Sequence, residues 1–241
     1  MIRRIARALL EKRGVRLKTN ESAPPDIPDG ELYRPFYAPW LGGGEFPAYY
    51  AAGKSRAIAS MERCYAIYSL LRQAVHLDGD VWECGVYAGG TAAIMAAILR
   101  DKAPEKKLYL FDTFEGMPET DSKLDLHKQG DFANTSAESV AQLVGASSCV
   151  IRKGFIPTTF AGLESARICF AHIDVDIYRS HIDCLEFIWP RVVRGGFLLF
   201  DDYGMPTCPG ARTAVDEFFA GRSTIPFCLA NGQAIAFKSD A

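Results

Sequence analysis

From about residue 80 onward, short apolar runs alternate with longer segments whose apolar side chains recur every three to four positions. The short runs predict strands at 81–85, 107–111, 148–152, 168–173, 196–200, 227–229 and 234–237. The periodic segments predict helices at 91–99, 136–144, 179–189 and 211–219. Strands separated by helices require crossover connections, so the sheet should be mostly parallel and covered on both faces. The last two strands are joined by Asn231-Gly232, a turn tight enough to force an antiparallel pair at one edge. The fold class is therefore α/β: a doubly wound, Rossmann-like, mostly parallel seven-stranded sheet with an antiparallel edge strand.

The first 60 residues read as an N-terminal extension to a domain spanning 61–241. Residues 1–18 form a basic, amphipathic helical pattern, and 20–30 form a linker carrying Pro24, Pro25 and Pro28. Tyr33, Phe36, Tyr37, Trp40, Phe46, Tyr49 and Tyr50 then crowd an irregular segment broken by three glycines. So many aromatics in one loop imply packing on the main domain, as core or as a lid. Residues 54–75 have helical spacing, with Ile58, Met61, Tyr65, Tyr68, Leu71 and Val75 mostly on one face.

Composition narrows the partners. In 241 residues, 49% hydrophobic and 23% charged, the net charge is -2, so no global field attracts nucleic acid or an anionic membrane. No apolar run reaches the ~18 residues of a membrane helix, and the basic start lacks the unbroken apolar stretch of a signal peptide. Seven dispersed cysteines without a C-x-x-C pair fit reduced thiols in a cytoplasmic protein.

In such sheets ligands sit beyond the carboxyl ends of the strands. The first strand ends in Glu83-Cys-Gly85-Val-Tyr87-Ala-Gly89-Gly90-Thr91. Its glycines allow a sharp turn and close approach to a ligand, and Thr91 can cap the next helix. The spacing is not the G-x-G-x-x-G of a pyrophosphate site. An acid at this turn suits a cationic ligand with amine and hydroxyl donors, and S-adenosylmethionine (SAM) is one. The second strand ends at Asp112, 23 residues after Gly89, followed by Thr113 and Phe114; an acid there can accept hydrogen bonds from ribose hydroxyls, or can merely cap its own turn.

The fourth strand ends in His172-Ile-Asp174-Val-Asp176, the fifth in Asp201-Asp202-Tyr-Gly204. Up to four carboxylates thus meet beside the cofactor turn. Two such charges ~4 Å apart repel by about 4 kcal/mol at an effective dielectric of ~20, so the cluster must protonate, spread or hold a cation. Oxygen-only ligands favour Mg²⁺ or Ca²⁺. His172 is the one nitrogen nearby, and strand alternation is taken to turn it away from Asp174. Asp176 is readable as a solvated turn residue. A dication beside SAM implies activation of a hydroxyl for methyl transfer, with a vicinal diol as the natural chelating acceptor.

The blocks Glu83-Cys-Gly-Val-x-x-Gly-Gly, Tyr109-Leu-Phe-Asp-Thr-Phe-Glu-Gly-Met-Pro, Asp174-Val-Asp-Ile-Tyr, Asp201-Asp-Tyr-Gly and Pro209-Gly-Ala-Arg-Thr-Ala-Val-Asp-Glu-Phe, in that order, resemble the macrocin/mycinamicin (TylF/MycF-type) sugar O-methyltransferases. The likeness runs from about Met61 to Phe219. It implies a class I SAM methyltransferase, Mg²⁺, a small hydroxylated acceptor such as a sugar of a natural product or surface glycan, and a homo-oligomer. It further implies that Glu83, Gly85 and Asp112 hold SAM and that Asp174, Asp201 and Asp202 hold the metal, with Asp174 accepting the proton. Arg212 either reaches the acceptor or stays at the surface. Arg179-Ser180-His181 and the loop Met205 to Pro209 depart from the family pattern, in segments that shape the acceptor pocket. Two other functions fit the sheet itself: an NAD-type oxidoreductase, and a non-catalytic SAM-binding protein.

Overall fold

The computed structural model describes residues 38–41, 44–145 and 149–239. The basic helix, the proline-rich linker, Tyr33, Phe36 and Tyr37 lie outside them. The chain divides into two compact units, Met1–Gly42 and Gly43–Ala241. Of the first, a single 3-10 turn, Pro39–Leu41, is described.

The second unit begins with helix α1 (Phe46–Gly53), where the sequence suggested an irregular segment. Phe46 sits among the rings of Tyr50, Tyr65 and Tyr68, 5.0–5.5 Å between centroids, so the aromatics pack onto helix α2 (Met61–Ala74). The predicted 54–75 helix is thus shorter, and its buried face is Cys64, Ile67, Tyr68, Leu71 and Ala74. Ile58 precedes it and is exposed.

Strand β1 (Asp80–Cys84) is followed by α3 (Gly90–Lys102), β2 (Leu108–Asp112), α4 (Ala137–Val144), β3 (Cys149–Lys153) and β4 (Ile168–Ile173). Then come α5 (Tyr178–Ile188), β5 (Val192–Phe200), α6 (Pro209–Phe219), β6 (Phe227–Cys228) and β7 (Ala234–Phe237). The seven strands lie in the order β3-β2-β1-β4-β5-β7-β6. Strands β1 to β5 pair in parallel, while β7 is antiparallel to both β5 and β6. The doubly wound sheet predicted from the sequence is the one observed. The reversal point lies between β1 and β4, where ligand crevices form in open sheets. Among the described residues no helix is long and apolar enough to cross a membrane.

Alternation along the strands sorts the core onto two faces. Trp82, Cys84, Phe111, Ala171, Ile173, Leu198 and Phe200 pack with α5 and α6 residues such as Leu185, Ile188, Val215 and Phe219. The intervening positions Glu83, His172 and Leu199 stand side by side in the register and face the other way. Their layer is the one to which α2 contributes.

Two glycines set how closely α1 and the segment after it approach α3. A Cβ on Gly53 would fall 1.8 Å from the Gly90 carbonyl oxygen, and a Cβ on Gly90 would fall 2.2 Å from the Ala57 amide nitrogen. Both obstacles are backbone, so neither can swing aside. Thr91 does not cap α3: the cap residue is Gly89, at φ +82°, and Thr91 lies inside the first turn. Only a residue without Cβ takes that left-handed geometry freely, which is why the glycine holds the cap position. Gly90→Ala should destabilise the fold by about 1–3 kcal/mol, the usual cost of overpacking. Thermal or urea unfolding checks this; an unchanged midpoint would show that the α1–α3 contact is not tight.

Candidate active site

Three strand ends are stitched together at the rim. The Gly85 amide donates to the Phe111 carbonyl at 2.9 Å, and the Asp174 amide donates to the Cys84 carbonyl at 2.8 Å. Gly85 has φ +82°, and a Cβ there would lie 1.7 Å from the Asp174 carbonyl oxygen, so the β1 and β4 ends meet only because this residue is glycine. Beside this junction opens a cavity of about 270 Å³. Gly85, Tyr87, Asp112 and Thr113 line one part of it, and Arg63, Asp174, Asp176, Asp201 and Asp202 another.

Asp112 takes the capping role that its position offered, and it ties two strand ends together as well. Its carboxylate caps its own turn, accepting from the Phe114 amide at 2.7 Å. It also accepts from the Val86 and Tyr87 amides at 2.7 and 2.8 Å, pinning the β1 turn to the β2 end while lining the cavity. Two carboxylate oxygens carry about four lone-pair sites, which leaves capacity for a ligand hydroxyl. Tyr87 and Phe114 both have positive φ, 48° and 52°, so the turn is bent at each side of the crevice. Gly89, Gly90, Thr91 and Phe114 are not among the residues that line the cavity. Glu83 is fully buried, with Oε1 3.0 Å from Nδ1 of His172. Burial pushes its carboxyl up to about 8, partly offset by Thr91.

The acids separate in a way the sequence did not show. Oxygens of Asp174, Asp176 and Asp202 all lie within 4.8 Å of one another. A tight turn brings Asp176 in: the Ile177 amide donates to the Val175 carbonyl across Asp176, which sits at φ +56°. The Asp176 amide in turn donates to Asp202 Oδ2 at 3.1 Å. Asp176 is therefore a turn residue whose carboxylate nevertheless points into the site.

Asp201 borders the same cavity, but its carboxylate is engaged by other partners. It pairs with the guanidinium of Arg63, accepts from Gln233, and lies 3.2 Å from Nε2 of His172. Arg63 reaches Asp202 more distantly, at 3.8 Å. Consecutive residues at a strand end point to opposite faces, so Asp201 joins the Glu83–His172 side and Asp202 the other. The same rule corrects the expectation for His172. Residues two apart share a face, and a His172 nitrogen, an Asp174 oxygen and an Asp201 oxygen form a second group within 4.8 Å. Asp174 belongs to both groups.

Sequence reasoning missed Arg63 and Gln233, which are remote in the chain, and His127 and Cys208, which also line the cavity. The one available signal was the position of Arg63, one residue before the buried face of α2. Arg212 is 65% exposed, over the Tyr203 ring and 3.5 Å from Asp216, and takes the surface role.

Burial first, and then mutual repulsion, pushes Asp174, Asp176 and Asp202 each up to about 7. Three all-oxygen ligands that resist ionising together are a fitting set for a hard divalent cation. These acids titrate higher in the fold than in the unfolded chain. Between pH 7 and 8 the folded chain still binds protons the unfolded chain has lost, so stability falls as pH rises. The buried His172 and His181, pushed down to about 4, act oppositely only around and below their ordinary 6.5. In EDTA the melting temperature should therefore drop from pH 7 to pH 8, and added Mg²⁺ should reverse the drop. A flat calorimetric profile would contradict a buried, self-repelling cluster.

Residues 47–231 match the family described as Macrocin-O-methyltransferase (TylF). The chain is 30% identical over 167 residues to the 8-demethyl-8-(2,3-dimethoxy-alpha-L-rhamnosyl)-tetracenomycin-C 4'-O-methyltransferase of Streptomyces olivaceus, a stretch covering 64% of this chain and 62% of that protein. It thus spans less than two thirds of that relative's length. It is 28% identical to the Mycinamicin III 3''-O-methyltransferase of Micromonospora griseorubida over 193 residues, 73% of each. Its fold is similar to that of the O-methyltransferase NovP, with a TM-score of 0.70 at 23% identity over 76% of this chain and 82% of that one.

Proposed function

Since this chain belongs to the macrocin O-methyltransferase (TylF) family, we propose that it moves a methyl group from SAM to a sugar hydroxyl of a small glycoside, with Mg²⁺ at the rim acids. The observation that carries this reading is the convergence of Asp174, Asp176 and Asp202 on the same cavity that Gly85, Tyr87 and Asp112 line. One relative whose name carries a rhamnosyl group, and another named for a 3''-O position, support a glycoside acceptor. A nicotinamide-dependent reaction has no use for such an acid cluster, and the family match favours methyl transfer over it.

In this reading Gly85 and the bent turn at Tyr87 let the backbone approach SAM, and Asp112 accepts hydrogen bonds from its ribose. The two acid sets, the one expected from sequence and the one brought together in space, share Asp174 and Asp202. The third member is Asp176 rather than Asp201 on the ground of proximity. Mg²⁺ held there supplies Lewis acidity that makes an acceptor hydroxyl easier to deprotonate. Asp174 takes that proton at a carboxylate oxygen. Asp201, clamped by Arg63, His172 and Gln233, fixes where Asp202 stands beside it. Orientation of the acceptor oxygen against the sulfonium methyl carries much of the rate.

Incubating the full chain with labelled SAM and a panel of rhamnosyl and related glycosides, with Mg²⁺ or with EDTA, tests this. Methyl transfer that stops in EDTA is expected; SAM binding without turnover on any diol, or turnover indifferent to EDTA, would refute it. Asp174→Asn should lower turnover by roughly 10²- to 10⁴-fold while SAM affinity, read by calorimetry, changes little. Asp176→Asn should weaken Mg²⁺ binding more than Asp201→Asn does. The reverse order would return the metal to the Asp201 set.

A further inference from the structure

A third cluster lies at the same cavity and mixes nitrogen, oxygen and sulfur. His127 comes from the loop between β2 and α4, Asp176 from the turn after β4, and Cys208 from the residue before α6. The Cys208 sulfur is 3.6 Å from His127 Nε2 and 3.4 Å from Asp176 Oδ1. His127 Nε2 is 3.7 Å from the same Asp176 oxygen. All three side chains line the cavity.

These separations have a geometric meaning. A tetrahedral zinc ion holds sulfur at about 2.3 Å and nitrogen or oxygen at about 2.0–2.1 Å, which places its ligand atoms roughly 3.3–3.6 Å from one another. Both sulfur contacts fall within that range, and the nitrogen–oxygen contact lies just above it. The histidine is also prepared as a ligand. Its other nitrogen, Nδ1, is 3.4 Å from Asp131 Oδ2, and the Lys128 amide donates to that same carboxylate at 2.9 Å. A carboxylate behind a histidine fixes the ring and turns its free lone pair toward the metal.

We propose that His127, Asp176 and Cys208 form a site for a zinc-type divalent ion, separate in chemistry from the all-carboxylate group. Nitrogen and thiolate ligands select such an ion over Mg²⁺. The ion displaces the thiol proton of Cys208 to solvent, and the cavity side supplies a fourth, water-filled position. Asp176 is common to both groups, so loading this site withdraws it from Asp174 and Asp202. That consequence, inhibition of methyl transfer by zinc, rests on the proposed function; the binding itself does not.

Cobalt(II), a spectroscopic stand-in for zinc, tests the site on the full chain in excess Mg²⁺. One equivalent should produce a thiolate-to-cobalt charge-transfer band that zinc abolishes. Cys208→Ser should remove the band, while Cys228→Ser, at the exposed thiol, should keep it. Asp131→Asn should weaken zinc binding by roughly 10- to 100-fold with unchanged circular dichroism. His127→Gln, at a half-buried loop position, should weaken it at least as much and serves if Cys208→Ser does not fold. No thiolate band at saturating cobalt, or a band lost with Cys228 and kept without Cys208, would overturn the proposal. Because the readout is optical, it stands or falls whether or not methyl transfer is ever observed.

Discussion

Repulsion among buried carboxylates organises this molecule. Asp174, Asp176 and Asp202 stand close enough that burial and one another's charge hold each near neutrality in its titration. An arrangement of that kind costs stability unless something positive meets it. The protein meets it partly from within, by sending the Arg63 guanidinium from α2 to Asp201 and, at longer range, to Asp202. The remaining acids face a cavity, where a cation and a ligand can reach them.

Strand alternation decides which acid goes where. Neighbours in sequence, Asp201 and Asp202 part company at the end of β5, one toward the helix layer that contains Arg63, the other toward the turn after β4. Glu83, His172 and Asp201 then form a buried polar line across three adjacent strands, with His172 between the two carboxylates. This line connects the glycine turn of β1 to the rim of β5. Moving one of these groups moves the support of the others, so the ligand crevice and the acid cluster are parts of one structure rather than two sites side by side.

The glycines set distances rather than flexibility. Gly85 lets β1 and β4 touch at the rim, and Gly210 plays the same part where α6 begins. A Cβ on Gly210 would fall 2.2 Å from Asp125 Oδ1, and that oxygen accepts from the Tyr178 amide that opens α5. Asp125 thereby ties the long loop after β2 to the two helices that cover the sheet. His127, two residues farther along, is carried into the cavity by that same anchored loop.

Much of this was legible in the chain itself. The alternation of short apolar runs with helical repeats located all seven strands, even β3 and β6, whose residues are not buried. The residues at strand ends announced where a ligand would sit, because open parallel sheets bind beyond those ends. What could not be read was direction. Whether Asp176 points outward or inward depends on a single tight turn. Asp201 is removed from its neighbour by Arg63 and Gln233, which arrive from 138 and 32 residues away. His172 shares a face with Asp174 by simple alternation, but its two carboxylate partners, Glu83 and Asp201, come from other strands and appear only in the register. Local sequence determines which elements form and where they end. Only the packed structure brings distant charges within reach of one another, and at a few ångströms those encounters decide which acids stand together at the cavity and which are already paired.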